Sequence, residues 1–63
     1  MTKDELLKIA DTAVDASLRG SGKILTESAN GIEVLFTKQT IIGKRSIIVV
    51  VNNGKVTSIV AQG

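Results

Sequence analysis

The run of β-branched residues Ile47, Ile48, Val49, Val50 and Val51 constrains this chain more than any other stretch. Such side chains are stiff at χ1 and suit the pleated surface of a strand. Successive residues of a strand point to opposite faces, so an unbroken apolar run is apolar on both. The run is also the longest apolar stretch in the chain, far too short to cross a bilayer, which takes about 20 residues as a helix. It therefore predicts a strand that needs cover on two sides. A chain of 63 residues has little to supply that cover. Domains of this size bury only about 60% of their unfolded surface. The chain has no Cys and no His, so a disulfide is excluded and a zinc staple nearly so. Good packing and self-association are the routes left.

The cover for one face is readable at the start of the chain. Thr2 and Glu5 have the spacing of a capping box, in which the hydroxyl accepts the Glu5 amide and the carboxylate reaches back. Leu6, Leu7, Ile9, Ala10, Ala13, Val14 and Leu18 then recur at helical spacing. The pattern predicts a helix over about 3–19, with Asp4–Lys8 and Asp15–Arg19 as i,i+4 ion pairs on its outer stripe. Gly20 stands where a helix C-terminal glycine of positive φ belongs. The stretch "LRGSGK" looks at first like a phosphate loop, but such a loop precedes a helix, and this one follows it. It also lacks the motif's first glycine and the Ser or Thr after the lysine, so it is read as a cap.

Beyond Lys23 the pattern becomes β, with strands expected at about 23–28, 32–40, 45–52 and 55–61. Asn30-Gly31 and Asn53-Gly54 are type I′ hairpin signals, and Gly43-Lys44 suits a II′ turn between strands two and three. A two-residue first loop pairs Ala29 with Ile32, Glu27 with Val34, Leu25 with Phe36 and Lys23 with Lys38. The last hairpin pairs Val51 with Val56, Val49 with Ser58 and Ile47 with Val60. Leu25, Ile32, Val34 and Phe36 then share the helix-packing face, and Ile48, Val50 and Ile59 share the other. The expected architecture is α+β: one N-terminal helix packed on a four-stranded antiparallel β-meander, in a single domain over 1–63. Ile48, Val50 and Ile59 are the expected self-association residues, and a second copy of the chain is the expected cover, with a partner protein as the alternative.

Charge is unevenly placed. Lys3 and Lys8 face four carboxylates in residues 1–15, whereas residues 16–63 hold six cations against Glu27 and Glu33. In a meander Arg19, Lys23, Lys38, Lys44 and Arg45 gather towards one end of the sheet, a candidate anion or nucleic-acid-backbone site. The alternative is that lysines at strand ends only blunt edges and aid solubility. Conventional catalytic groups are missing: without His or Cys there is no ordinary general base near pH 7 and no thiolate. Asp11 and Asp15 alone make a poor cation site, so no metal and no cofactor is expected. Phe36 is the one aromatic residue and is assigned to the core, which leaves no platform for stacking bases. The N-terminal stretch carries charges throughout and has no apolar signal region, so a cytoplasmic protein with no membrane partner is expected.

The segment "GKRSIIVVVNNGKVTSIVA", following a helix and "GKILTES", resembles the terminal hairpin of the small ribonuclease toxins of the colicin and RelE-like fold group. The resemblance implies a sheet that presents Lys, Arg and carboxylates to RNA; Lys23, Glu27, Lys38 and Arg45 match that general role and are the catalytic candidates if the chain is a ribonuclease. The reading preferred from the residues themselves is different. It is a small non-enzymatic binding protein, an inhibitor or regulator of the phage or mobile-element kind. It would act on a host protein or nucleic-acid machine through an apolar sheet face or a basic sheet end. The alternatives are a metal-independent ribonuclease toxin, with Lys and Arg for phosphate charge and Glu27 or Glu33 as base, and a purely structural homo-oligomer.

Overall fold

The structure, a computed structural model, describes residues 2–62. Its helix α1 (Lys3–Asp11) begins as the capping box requires. The Glu5 amide donates to Thr2 Oγ1 at 3.2 Å, and the Thr2 amide donates to Glu5 Oε1 at 3.4 Å. The Thr2 hydroxyl also donates to Glu5 Oε1, at 3.1 Å, and the two bonds that the carboxylate accepts, from the Thr2 amide first and the hydroxyl second, hold it below its usual pKa.

The helix is shorter than its periodicity predicts. It stops at Thr12, whose hydroxyl donates back to the Ile9 carbonyl, and the chain resumes as a 3-10 turn at Ala16–Leu18. Thr12, Val14, Asp15 and Ser17 are weak helix formers, and Asp15 is extended. Asp11 then serves the break: its carboxylate accepts the Gly20 amide and its carbonyl accepts Arg19 Nε, each at 3.2 Å. Neither expected i,i+4 pair forms among the described residues, and Asp15 turns to Lys38 instead of Arg19. The apolar spacing survives the break. Leu6, Ala10, Val14 and Leu18 are all buried on the same side of the sheet.

The four strands β1 (Lys23–Glu27), β2 (Gly31–Thr40), β3 (Gly43–Asn52) and β4 (Lys55–Gln62) form an antiparallel meander in sequence order. The α+β architecture expected from the sequence is the one observed. Ile32 faces Val51, Val34 faces Val49 and Phe36 faces Ile47. Apart from the half-buried Ile47, these residues are the sheet's share of the core and lie under the helix.

Registers depart from expectation where β-bulges intervene. In β4, Val56 faces Val51 as expected, but Thr57 is an extra residue, and Ser58 faces Val50 and Ile59 faces Val49. The bulge moves every later residue to the other face. Ile59 therefore lies on the helix side and Val60, opposite Ile48, on the outer side. In β1 the extra residue is Leu25, so Ile24 faces Val34 on the inner face and Leu25 is half exposed. Glu27 faces Ile32, and Lys23 faces Leu35 rather than Lys38.

The turns show why. Asn53 and Gly54 both have positive φ, as type I′ demands. Asn30 does not, and Gly31 belongs to β2. Ser28 closes that loop instead, its amide donating to the Gly31 carbonyl at 2.9 Å and its hydroxyl accepting the Gly31 amide at 3.2 Å. The Asn30 carbonyl accepts the Asn53 amide at 2.8 Å, tying the two turns together. The middle turn is made by Ile41 and Ile42, with Gly43 at φ 133 as the first residue of β3, not by Gly43-Lys44.

Gly22 has a packing role. A Cβ there would overlap the Val34 side chain and meet Phe36 Cε2 at 2.9 Å. Gly22→Ala should therefore destabilise by about 1–3 kcal/mol as the core overpacks. Gly20 has φ +86 with open space around it, so Gly20→Ala should cost about 1 kcal/mol from backbone strain alone. Urea titration of both variants checks this ordering. Thr2→Ala should cost about 1 kcal/mol through the lost cap. A carboxyl with a lowered pKa stabilises above its unfolded value and loses that effect as pH falls through the folded one. Thr2→Ala should therefore be less acid-sensitive than the parent below about pH 4.5, read by circular dichroism against pH.

Candidate binding surfaces

Two surfaces remain once the helix has covered the inner face. The first is the outer face of the sheet. Leu35, Ile48 and Val60 lie opposite one another across β2, β3 and β4, with Val50 beside them on β3. Leu35, Ile48 and Val50 are half-buried and Val60 is 44% exposed. Lys23 stands at the β1 end of this row, opposite Leu35. Of the three residues expected on this face, Ile48 and Val50 are there, and Ile59 is replaced by Val60 through the Thr57 bulge.

The second surface is the far end of the β2–β3 hairpin. Lys38 faces Arg45 on the inner side of the ribbon, and Lys44 faces Gln39 on the outer side. These three cations are brought together. Arg19 is engaged with the Asp11 carbonyl, and Lys23 sits lower on the sheet. Lys38 Nζ also meets Asp15 Oδ2 at 3.2 Å, an acidic neighbour from the helix half that the charge pattern had not placed here. Both side chains are well exposed, at 44% and 69%, so the bridge contributes at most about 1 kcal/mol. Its larger effect is to neutralise one of the three cations.

At the apex of this hairpin Ile41 and Ile42 are 104% and 96% exposed. The sequence pattern puts the turn at Gly43-Lys44 and so gives these two residues no surface role. The available signal was "TIIG", an apolar pair directly before a glycine and between two polar-flanked strands.

The candidate ribonuclease residues do not converge. Glu27 faces Ile32 near one end of β2, whereas Lys38 and Arg45 face each other near the other end. Six residues of strand separate the two levels, roughly 20 Å. A shallow depression of about 190 Å³ beside Thr26, Ser28 and Val50 contains Glu33 as its one titratable side chain. A lone half-buried carboxylate supplies no acid–base pair. Among the described residues there is no cluster of three potential metal ligands, and no helix is long and apolar enough to cross a membrane.

Removing the neutralising carboxylate should sharpen the basic end. Asp15→Asn should change stability by less than about 1 kcal/mol and raise the salt concentration at which the protein leaves a heparin column. Elution at unchanged salt would mean that Lys38 does not contribute to anion binding. No family model, curated protein or solved structure matches the chain.

Proposed function

We propose that the protein works by binding and not by catalysis, as a small inhibitor or regulator that self-associates through the outer face of its sheet. The observation that carries this reading is the apolar row of Leu35, Ile48 and Val60, with Val50 beside it, on the face that no helix covers. A sheet apolar on both faces is stable in water when a second layer covers each. A second copy of the chain brings the same patch, and a two-fold axis makes it self-complementary. Sheet-to-sheet packing of this kind would leave both hairpin ends free for a host protein or nucleic-acid machine. The scattered positions of Lys23, Glu27, Lys38 and Arg45 offer the ribonuclease alternative no comparable support.

Sedimentation velocity tests the reading. The parent chain should sediment as a dimer, and Val60→Lys should yield monomers that keep their β circular dichroism, because Val60 lies on an edge strand and is already 44% exposed. Ile48→Lys and Val50→Lys should give monomers or unfolded chains. Ile59→Lys, on the opposite face, should leave the dimer intact. A monomeric parent at high concentration, or dissociation by Ile59→Lys but not by Val60→Lys, would overturn it.

A further inference from the structure

The end of the β2–β3 hairpin projects as a ribbon of its own. β1 begins at Lys23, opposite Leu35, and β4 is described as far as Gln62, opposite Ser46. Beyond these levels, among the described residues, β2 and β3 have only each other as strand partners, through Lys38 with Arg45, Gln39 with Lys44 and Thr40 with Gly43. This free part makes the molecule long, at 37 × 18 × 15 Å.

Its chemistry is uniform. No carboxylate side chain follows Glu33, whereas Lys38, Lys44, Arg45 and Lys55 do. Lys44 and Arg45, which make no ion pair among the described residues, lie on opposite faces of the ribbon, and two fully exposed isoleucines stand at its apex. An exposed apolar pair between cations fits an anionic partner with apolar ground between its charges. Duplex DNA and an anionic bilayer both answer that description. The backbone decides between them. Among the described residues, the peptide groups of Ile41 and Ile42 make no hydrogen bond, whether to backbone or to side chains. In hydrocarbon, unpaired peptide groups are costly. In a wet groove they meet water, base edges and phosphates.

We propose that this hairpin end is a DNA-binding arm. The two-stranded ribbon lies in the major groove of a duplex, which at about 12 Å is wide enough to admit it. Lys44 and Arg45 reach phosphates on either side, and Ile41 and Ile42 rest on the base edges, where thymine methyl groups are the apolar partners. The deep, narrow major groove of A-form RNA does not admit such a ribbon. The arm is separate from the outer face of the sheet, so it does not depend on the dimer.

Fluorescence anisotropy with the full chain and a labelled DNA duplex of about 20 base pairs, from about 20 to 200 mM NaCl, tests this. Two phosphate contacts give a log–log salt slope of about −1.8, and Lys44→Gln and Arg45→Gln should each make it shallower by about 0.9. Ile41→Ser combined with Ile42→Ser should weaken binding about tenfold or more, the effect of exposing buried isoleucine, with the salt slope and thermal stability unchanged. Three results would overturn the proposal. The first is no duplex binding by the parent at the lowest salt. The second is full binding by the double isoleucine variant, which reduces the arm to non-specific charge. The third is binding of phosphatidylglycerol–phosphatidylcholine vesicles, lost in that variant, without duplex binding, which makes the hairpin a membrane-surface element. The slopes hold per arm, and the monomeric Val60→Lys variant carries one intact arm, so the same titration on that variant lets either proposal fail alone.

Discussion

The packing of Leu6, Ala10, Val14 and Leu18 onto Ile32, Val34, Phe36, Val49 and Val51 is the contact on which the rest of the structure depends. With no disulfide to help and no His or Cys for a zinc site, these nine side chains form the buried core of the described chain. Each fully buried aliphatic or aromatic side chain contributes about 1.5–3 kcal/mol. That leaves a thin margin over the entropy of ordering a small domain. Close approach matters accordingly. Gly22 and Gly31 stand where a Cβ would strike Val34 and Phe36 or the Val51 carbonyl.

The limited reach of that core shapes both candidate surfaces. A nine-residue helix and one 3-10 turn cover a single face of the sheet, and only its lower part. The outer face keeps its apolar row because nothing else in the chain is left to cover it. The upper hairpin stays clear of the core, so its side chains answer to solvent or to a partner. The radius of gyration, 11.3 Å, exceeds the about 10.6 Å typical of this length, consistent with that projection.

Electrostatics follows the same division. Asp11 and Asp15, which by sequence belong to the charged outer stripe of the helix, are used where the helix breaks: Asp11 holds Gly20 and Asp15 meets Lys38. Of the three cations at the hairpin end, Lys38 is neutralised, and Lys44 and Arg45 have no carboxylate partner among the described residues. A strongly exposed apolar pair beside two cations that make no ion pair among the described residues is costly in isolation, and this cost favours a partner there.

Much of the fold was legible in short-range chemistry. The capping box at Thr2 and Glu5, the positive φ at Gly20, the type I′ turn at Asn53-Gly54 and the α+β order all depend on neighbours within a few residues. Ile48 and Val50 were legible on the outer face because the Val51–Val56 register next to the turn is local too. What the tertiary structure decided lies farther from such anchors. The bulges at Leu25 and Thr57 exchange the faces of whole strand segments, and they replace Ile59 by Val60. Asn30-Gly31 gave up its turn because Ser28 and the neighbouring hairpin offered other partners, and Gly31 was needed against Val51. The helix ended early because Asp11 and Asp15 found partners at Gly20 and Lys38. Side-chain pattern alone thus determined which segments become helix and strand. Long-range pairing, in which a one-residue shift inverts a face, determined which residues the protein shows to the outside.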